Sequence, residues 1–287
     1  MNQPLITIAI PVFNAGKFLQ IALTSIINQT YKNWELIIID DGSSDGCCNN
    51  LVALNDSRIE LIQDGINKGL TARLNQAIDL ANGCYFARMD QDDIAFPQRL
   101  ARQVAFLQAN QEIDLVSSRA LTFVGSEMQG QLPFRGVHES ICAKPWSGFY
   151  MPHPTWMGKI EWFRNYRYLV PEVKLAEDQE LLLRSYPNSK FASISEPLLA
   201  YRLRSGISIK RNLRARTSLL CVQLKFFSKR YQLHNLFFAI ITYMSKLALD
   251  LLMALGLSKH KAMKNGLSTT DLRSWRDLCV SVGFKQE

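Results

Sequence analysis

Short apolar runs alternate with segments of helical periodicity along the first half of the chain. Residues 5–11 and 35–39 are apolar at most positions, as is typical of strands buried on both faces. Between them, the apolar residues of 18–27 recur at helical spacing. Further strands are predicted at 58–62, 84–89 and 114–118, and further helices at about 71–81 and from Pro97 through Leu107. This order predicts an α/β fold with a mostly parallel sheet flanked by helices.

Two acidic turns follow strands of this predicted sheet. Asp90, Asp92 and Asp93 come after strand 84–89, and Asp40 and Asp41 follow strand 35–39. The carboxyl ends of parallel strands share the edge where such sheets bind ligands. One acidic cluster is as consistent with a solvated turn, but two on one edge favour a bound cation. Oxygen ligands suit Mg²⁺ or Mn²⁺ placed between carboxylates and substrate phosphates, so the pattern indicates a metal-bridged nucleotide site.

The glycine-rich phosphate loops of other α/β classes are missing from the sequence. No G-x-G-x-x-G follows the first strand, and no G-x-x-x-x-G-K-[ST] occurs. A dinucleotide oxidoreductase and a P-loop enzyme are therefore disfavoured. A nucleotide would have to be held by the acidic turns and a metal, which is the arrangement of a sugar-nucleotide enzyme.

Several motifs in order carry a family resemblance. They are Ile10-Pro11-Val12-Phe13-Asn14, residues 25–31, residues 34–45, Asn67-Lys68-Gly69-Leu70 with Arg73 and Asn75, Asp90-Gln91-Asp92, and Pro97-Gln98-Arg99-Leu100. Together they resemble the N-terminal half of family 2 inverting glycosyltransferases of the GT-A fold, a Rossmann-like fold. The resemblance is dense over roughly the first 125 residues.

The resemblance implies roles for individual positions at the donor site. Asp41 is expected to face the base, Asp90 to lie near the ribose or the metal, and Asp92 to be the main metal ligand. Asp93 is either a support for the metal ligands or a helix cap, and the cap is the preferred interpretation. The expected nucleoside-pocket residues are Pro11, Val12, Phe13 and Asn14.

Downstream, Glu177-Asp178 resembles the family's E-D motif, whose Asp is the catalytic base. Asp178 would take the proton of an acceptor hydroxyl as its oxygen attacks the anomeric carbon opposite the diphosphate, a single displacement that inverts configuration. Without the resemblance, both residues are better explained as charges at a helix N-terminus, and the resemblance makes the catalytic reading the preferred one. Lys68 and Arg73 either assist the diphosphate or are ordinary surface charges, and both readings stay open.

Two later segments are candidates for the part of the protein that binds the acceptor. His153 precedes an aromatic stretch that contains a possible sugar platform, although core packing explains most of these rings better; the rings are Trp156, Trp162, Phe163, Tyr166 and Tyr168. Residues 201–208 resemble a family segment that often carries a His where Arg204 stands here. The substitution puts a His contact in doubt, but an Arg can pair with a diphosphate bidentately.

Composition sets the outer limits of the interpretation. The length of 287 residues and the hydrophobic fraction of 47% suit a catalytic domain at 1–205 and a helical extension at 206–287. The first predicted strand starts at Leu5, which leaves no room for a signal peptide, so a cytoplasmic location is expected. Six cysteines without a C-x-x-C pair are expected to be free thiols.

Positive charge is concentrated in the extension. Residues 201–264 carry thirteen Lys and Arg against one acidic residue, Asp250, a net of +12 within an overall +8. Within them, residues 236–257 are apolar and long enough for a transmembrane helix. Lys246 and Asp250 in the middle of this segment argue against a simple membrane span. Basic residues lie on either side of the apolar stretch: Lys225, Lys229, Arg230, Lys259, Lys261 and Lys264.

Three readings of this apolar segment stay open. In the first, the segment is an interfacial helix that lies on anionic lipid. In the second, it is a helical hairpin buried against the catalytic domain. In the third, it is a dimer interface or a true membrane span. The interfacial reading is preferred and places the protein on the inner face of the cell membrane. No recognised nucleic-acid-binding motif accompanies the charge, so nucleic acid is not an expected partner.

The residues and the resemblance together predict an inverting, metal-dependent glycosyltransferase, and the resemblance implies a role in bacterial surface polysaccharide assembly. Its donor would be a nucleotide sugar, UDP-linked by preference, and its acceptor a hydroxyl of a glycan or lipid-linked glycan. An alternative is a non-catalytic, membrane-peripheral module that binds nucleotide sugar or organises a glycan-assembly complex. A sugar-1-phosphate nucleotidyltransferase shares the architecture, but residues 11–16 lack the Gly-rich, Arg-containing loop that it needs.

Overall fold

The structure, a computed structural model, describes residues 3–49, 51, 55–203, 209–254 and 267–284. Arg204, Lys259, Lys261 and Lys264 lie outside the described residues, as do the last three positions of the apolar segment 236–257. The predictions that concern them are therefore not addressed by the structure.

In the described residues, nine strands form one mixed sheet. The order is β3-β2-β1-β4-β8-β6-β9-β5, with β7 paired to β6. Strands β3, β2, β1 and β4 run parallel to one another, as predicted. Strand β8 is antiparallel to both β4 and β6. The strands are β1 (Ile6–Val12), β2 (Trp34–Asp40), β3 (Ile59–Gln63), β4 (Tyr85–Arg88), β5 (Ile94–Ala95), β6 (Leu115–Val124), β7 (Glu127–Gln131), β8 (Met157–Lys159) and β9 (Phe191–Arg202).

Helices cover both faces of the sheet. Ile6, Ile8 and Ile10 of β1 belong to one core cluster, and Ala9 belongs to the cluster on the opposite face. This explains why the strand is apolar at consecutive positions. The helices are α1 (Phe18–Ile27), α2 (Leu70–Leu80), α3 (Arg99–Ala109), α4 (His138–Cys142), α5 (Ile160–Asn165), α6 (Glu177–Ser185), α7 (Ile209–Lys229), α8 (Leu233–Ala254) and α9 (Thr269–Ser281).

Most predicted bounds are confirmed to within a residue or two. Helix α1 spans the predicted 18–27. Helix α3 instead begins at Arg99, two residues after Pro97, because the Pro97 carbonyl accepts the Thr30 amide at 2.8 Å and stays outside the helix. All six cysteines are free, as expected.

Helices α7, α8 and α9 make different contacts. In α9, Trp275 packs on Phe123 of β6 with ring centroids 5.0 Å apart, and its Nε1 donates to the Ser126 carbonyl at 3.2 Å. Helix α7 packs against α8, where Arg216 lies 2.9 Å from Asp250. Among the described residues, one helical stretch, Leu233–Leu252, is long and apolar enough to cross a membrane.

Candidate active site

The Asp41 carboxylate is held in place by the loop after β3. Its Oδ1 accepts the backbone N–H of Lys68 at 2.7 Å and the Nε–H of Arg73 at 2.8 Å. Its Oδ2 accepts the N–H of Gly69 at 3.0 Å. Gly42, at φ +78°, lets the turn pass close beneath this loop, since a Cβ there would lie 3.1 Å from the Asn67 nitrogen. The acidic turn and the loop therefore form one rigid unit, with Asp41 at its centre.

Arg73 is fully buried within this unit and is not a surface charge, so that reading is wrong. Its five N–H groups are all used, by the carboxylates of Asp41 and Asp64, the Gln76 amide oxygen and the Ile66 carbonyl. Contact with a diphosphate stays a prediction, and the geometry shows Arg73 orienting Asp41. The ammonium of Lys68 is half exposed and lies 2.7 Å from Asp64.

The end of β1 is fastened to both acidic turns. The Gln91 side chain accepts the Phe13 N–H at 2.6 Å and donates to the Phe13 carbonyl at 3.0 Å. Asn14, at φ +50°, accepts the Ser44 N–H at 2.9 Å, and its own N–H donates to Ser43 Oγ at 3.0 Å. These bonds fix residues 11–14 against the two turns, where the sequence predicts a nucleoside pocket.

Two arginines face the carboxylates of the second acidic turn. Arg88 Nη2 lies 2.5 Å from Asp90 Oδ1. Arg202, at the end of β9, donates from both Nε and Nη2 to Oδ2 of Asp92. The Arg202 guanidinium also stacks 4.0 Å from the ring centroid of Phe18.

Asp93 does not cap a helix, contrary to the preferred interpretation. It precedes the short strand β5, and its Oδ1 accepts the Arg202 N–H at 2.9 Å. Its Oδ2 is buried and accepts no hydrogen bond from the described residues. Burial, together with the charges of Asp90 and Asp92, raises the pKa of Asp93 well above its ordinary value. Asp93 therefore serves to join β9 to the acidic turn.

Asp178 lies in the first turn of α6 beside Glu177. Gln179 donates to Asp178 Oδ2 at 3.1 Å and is itself held by the Phe149 N–H, 2.7 Å from its Oε1. Burial raises the pKa of Asp178. Burial and then the neighbouring Asp178 charge raise the pKa of Glu177 to about 7. The two adjacent carboxyl groups therefore titrate as a pair and bind a proton near neutral pH.

Arg88 connects the two groups of carboxylates. Its side chain is buried, yet its Nε and Nη1 have no hydrogen-bond partner among the described residues. Its charge lowers the pKa of Glu177 and Asp178 on α6 while it pairs directly with Asp90. The fold thus brings the predicted base and Asp90, one of the two predicted metal ligands, close to one guanidinium at the carboxyl edge of the parallel strands.

Comparison with known proteins identifies the family. Residues 7–167, more than half of the chain, match the family model described as Glycosyl transferase family 2. The chain belongs to glycosyl transferase family 2. EpsE of Bacillus subtilis, a putative glycosyltransferase, is 37% identical to this transferase over 194 residues, which cover 65% of this chain and 68% of EpsE.

A second relative and two solved structures extend the comparison. WfgD of Escherichia coli, a UDP-Glc:alpha-D-GlcNAc-diphosphoundecaprenol beta-1,3-glucosyltransferase, is 34% identical over 110 residues, 38% of this chain and 44% of WfgD. S. aureus TarS 1-349 has a TM-score of 0.65 at 15% identity, covering 96% of this chain and 79% of that one. Mannosyltransferase PcManGT of Pyrobaculum calidifontis has a TM-score of 0.62 at 16% identity, covering 100% and 89%. The fold of this family 2 transferase is GT-A.

The residues of the second acidic turn fit a divalent cation. No group of three or more His, Cys, Asp or Glu that could hold a metal occurs among the described residues. Mg²⁺ and Mn²⁺ in such enzymes need only one or two carboxylates, because substrate phosphates and water complete the shell. Both bonds from Arg202 go to Oδ2 of Asp92, so Oδ1 of this carboxylate still faces no donor of the described chain.

The aromatic stretch is core, as the better-supported interpretation predicts. Trp156, Trp162, Phe163 and Tyr168 are all buried in the family 2 domain. His153 is buried too and lies with Nε2 2.7 Å from the Tyr168 hydroxyl. Burial, helped by the Arg88 charge, lowers its pKa well below the ordinary value, so the imidazole is neutral at pH 7.

Sequence reasoning missed three residues that shape the site of this transferase. Arg88, Gln91 and Arg202 each bond to the acidic turn or to the strand end beside it. Arg88 had a detectable signal, because a charge inside an apolar strand must find a partner when it is buried. Gln91 and Arg202 lie inside segments that carry the resemblance, but nothing in the sequence indicates their partners, which lie on other parts of the sheet.

Proposed function

We propose that this chain is an inverting, metal-assisted transferase that moves a sugar from a UDP-linked donor to a hydroxyl of a lipid-linked glycan during surface polysaccharide synthesis. The observation that carries the proposal is the position of Arg88, which pairs with Asp90 of the second acidic turn and whose charge also acts on the Glu177–Asp178 pair. Catalysis needs carboxylates on two sides of the anomeric carbon, one near the diphosphate and one near the acceptor. This arrangement supplies both.

The donor would lie across the edge formed by residues 11–14, Asp41 and the second acidic turn. Asp41, fixed by Arg73 and the Lys68 loop, would accept an N–H from the base, and residues 11–14 would line the nucleoside pocket. A divalent cation held by Asp90 and Asp92 would neutralise the charge that builds on the leaving diphosphate. Lys68 Nζ, half exposed beside Asp64, is the candidate for a direct phosphate contact.

Asp178 would act as the general base. Its carboxylate accepts the proton of the acceptor hydroxyl while that oxygen forms the new bond to the anomeric carbon. The bond from that carbon to the diphosphate oxygen breaks on the opposite face, and the electron pair leaves with the diphosphate. One such displacement inverts the configuration. Gln179, locked by Phe149, holds Asp178 in place for this step.

The identity of the donor and acceptor rests on the relatives. WfgD is described as using UDP-Glc and a diphosphoundecaprenol-linked sugar, and TarS has been solved with UDP-GlcNAc. PcManGT has been solved with GDP-Man and Mn²⁺, which makes a GDP-sugar the second donor to test.

A membrane-surface location is supported by the outer face of α8. Its charged residues point toward the protein: Lys246 Nζ donates to the Ser147 carbonyl at 3.2 Å, and Asp250 pairs with Arg216. Its outer face is apolar, with Phe237 59% and Met244 55% exposed. An apolar helix face next to a basic helix suits the surface of an anionic bilayer on the cytoplasmic side.

Replacing Asp178 with Asn tests the proposal. The change keeps the shape of the side chain but removes the base, so transfer should fall about 10²- to 10⁴-fold while donor binding is retained. Nucleotide release is measured with purified protein, UDP-sugars and lipid-linked acceptors, and donor binding by titration. Glu161→Gln, an exposed carboxylate of α5, is the matched control. Unchanged transfer by Asp178→Asn would contradict the assignment.

A further inference from the structure

The 145–149 loop lies between the C-terminal helices and the proposed base. It begins with one helical turn, Pro145–Ser147, and ends at Phe149, whose side chain is buried in the core. Neither this loop nor α8 is part of the proposed donor site. The contacts at the two ends of the loop nevertheless join α8 to Asp178.

Helix α8 holds the first half of the loop by ring contacts and a hydrogen bond. The Trp146 ring packs on Phe238 with centroids 5.3 Å apart and lies edge-on to His234 at 5.6 Å. The Lys246 Nζ donates to the Ser147 carbonyl at 3.2 Å. Phe238 and Lys246 are roughly two turns apart, which places them on the same face of α8. The loop therefore follows that face instead of touching it at one point.

Helix α7 holds the start of the same loop. Gln223 of α7 is buried, and its Nε2 donates to the Pro145 carbonyl at 3.0 Å. The two helices are themselves joined by the pair of Arg216 with the buried Asp250, 2.9 Å apart. A displacement of α8 would therefore carry the Pro145–Ser147 turn with it.

The second half of the loop clamps Gln179 through both backbone groups of one residue. The Phe149 N–H donates to Gln179 Oε1 at 2.7 Å, and the Phe149 carbonyl accepts from Gln179 Nε2 at 3.1 Å. Because a backbone N–H can only donate, the oxygen of the Gln179 amide must face it, and this fixes which way the amide points. The second hydrogen of Nε2 is then available to Asp178 Oδ2, 3.1 Å away.

Gly148 sets how closely the loop approaches this amide. Its φ of +92° is one that residues with a side chain rarely adopt, and a Cβ there would lie 2.9 Å from Gln179 Oε1 and 3.6 Å from Leu219 Cδ2 of α7. The loop thus passes between α6 and α7 without space for a side chain. A movement of the loop is therefore transmitted to Gln179 instead of being taken up by free space.

We propose that α8 positions the catalytic base through the 145–149 loop. Lys246 is the positioning residue, because its ammonium fixes the Ser147 carbonyl. The loop fixes the Gln179 amide, and this amide orients the Asp178 carboxylate. The inference rests on the proposed transferase function, because it takes Asp178 as the base. It adds a role for the C-terminal extension in the chemical step, beside its proposed place at the membrane surface.

Loss of the Lys246 ammonium tests the proposal. Lys246→Met keeps the apolar stem and removes the donor, so kcat in the transfer assay used for Asp178→Asn should fall about ten- to a hundredfold, while the affinity for UDP with Mn²⁺ is retained. Acceptors are solubilised in detergent, so that binding to a bilayer does not contribute. Lys246→Arg, which can still donate to the Ser147 carbonyl, should restore most of the rate. Lys190→Met, the same charge change at an exposed site, is the matched control.

Amide hydrogen exchange measures the same coupling without an acceptor. The Phe149 N–H is bonded to Gln179, so the peptide 145–151 should exchange faster in Lys246→Met than in the wild type or in Lys190→Met. If Lys246→Met does not fold, Phe238→Leu is the second variant. It weakens the ring contact with Trp146 and should change kcat and exchange in the same direction.

Gln179→Met, alone and combined with Lys246→Met, decides whether Lys246 acts through Gln179. The two losses in kcat should not add, since both changes interrupt the same path. Additive losses, or either wild-type transfer or wild-type exchange in Lys246→Met, overturn the proposal. A fall in UDP affinity as large as the fall in kcat also overturns it, because it indicates a general structural loss. No UDP binding by the wild-type chain is instead a failure of the proposed function, and exchange at Phe149 then still decides whether α8 holds the loop.

Discussion

Three arginines, Arg73, Arg88 and Arg99, are buried around the candidate site, although each carries a charge. Burying a charge is costly unless it is paired and hydrogen-bonded. Arg73 meets two carboxylates, Arg88 meets Asp90, and Arg99 donates to the Arg88 carbonyl at 2.7 Å. At the residue scale, the site is a set of acidic side chains positioned by buried cations.

Loss of Arg73 should cost both stability and nucleotide affinity. Arg73→Met leaves the buried Asp41 carboxylate without its cation, and we expect the free energy of unfolding to fall by about 3 kcal/mol. Arg167→Met breaks a surface pair with Asp79 beside the same helix and should cost about 0 to 1 kcal/mol. Denaturant unfolding and nucleotide titration measure both effects. Equal stability losses in the two variants would contradict the central place of Arg73.

The pH dependence of transfer should follow the Glu177–Asp178 pair. Burial raises the pKa of both groups, that of Glu177 to about 7, and the base works only when it is unprotonated. Activity is therefore expected to be low in acid and to rise with pH as the pair loses its proton. Glu177→Gln removes a neighbouring negative charge, which lowers the pKa of Asp178 and moves this rise to lower pH.

Profiles of kcat/KM against pH measure the shift. Glu161→Gln is again the control, because its carboxylate is exposed and pairs with Arg164 at 2.8 Å on the surface. A profile of Glu177→Gln that coincides with the wild type would mean that Glu177 is not coupled to the base.

At the scale of elements, α8 has an unusual orientation. The mid-segment charges that argue against simple spanning, Lys246 and Asp250, face Ser147 and Arg216. Many apolar residues lie outside, Phe237 and Met244 among them, whereas Ala239 is buried in the core and Phe238 packs on Trp146 with ring centroids 5.3 Å apart. The interfacial and the hairpin readings therefore both stay predictions. The sequence shows which residues are apolar, but it cannot show which side of a helix meets the protein when both sides carry apolar residues.

This apolar face should bind membranes. Phe237 and Ile241 lie one turn apart on α8 and are 59% and 42% exposed. Replacing both with Ser removes apolar area without adding charge. Burial of each of these side chains contributes about 1.5 to 3 kcal/mol, so vesicle binding should fall at least tenfold. Sedimentation with phosphatidylglycerol vesicles measures it. Leu272→Ser with Val280→Ser on α9 is the control, and equal binding by both double variants would exclude an α8 contact with lipid.

At the scale of the whole molecule, the first half of the fold is predictable from sequence and the second half is not. Strands that follow one another through helices, such as β1 and β2, leave a local pattern that the apolar runs reveal. The pairing of β6 with β9, about 75 residues later, and the insertion of β8 between β4 and β6 leave no local signal. The parallel edge could thus be predicted, and the mixed half of the sheet could not.

The same division holds for the site. Asp41, Asp90, Asp92 and Asp178 could be proposed from sequence because each belongs to a motif of adjacent residues. Their partners come from distant strands and helices, so the Arg202 contact with Asp92 became visible only in the structure. Sequence identifies the reactive groups, and tertiary packing determines which of them are charged, paired or exposed.

The most direct test of the account is nucleotide-dependent stabilisation of the wild-type chain, with Asp92→Ala and Asp41→Ala beside it. UDP-, GDP-, dTDP- and CMP-sugars are screened by thermal unfolding with and without Mn²⁺ or Mg²⁺. A donor at about 100 times its Kd should raise the Tm by roughly 5 to 10 °C. The account predicts such a rise for one nucleotide class, dependent on metal and lost in both variants. No rise with any nucleotide, or a rise that both variants retain, would contradict it.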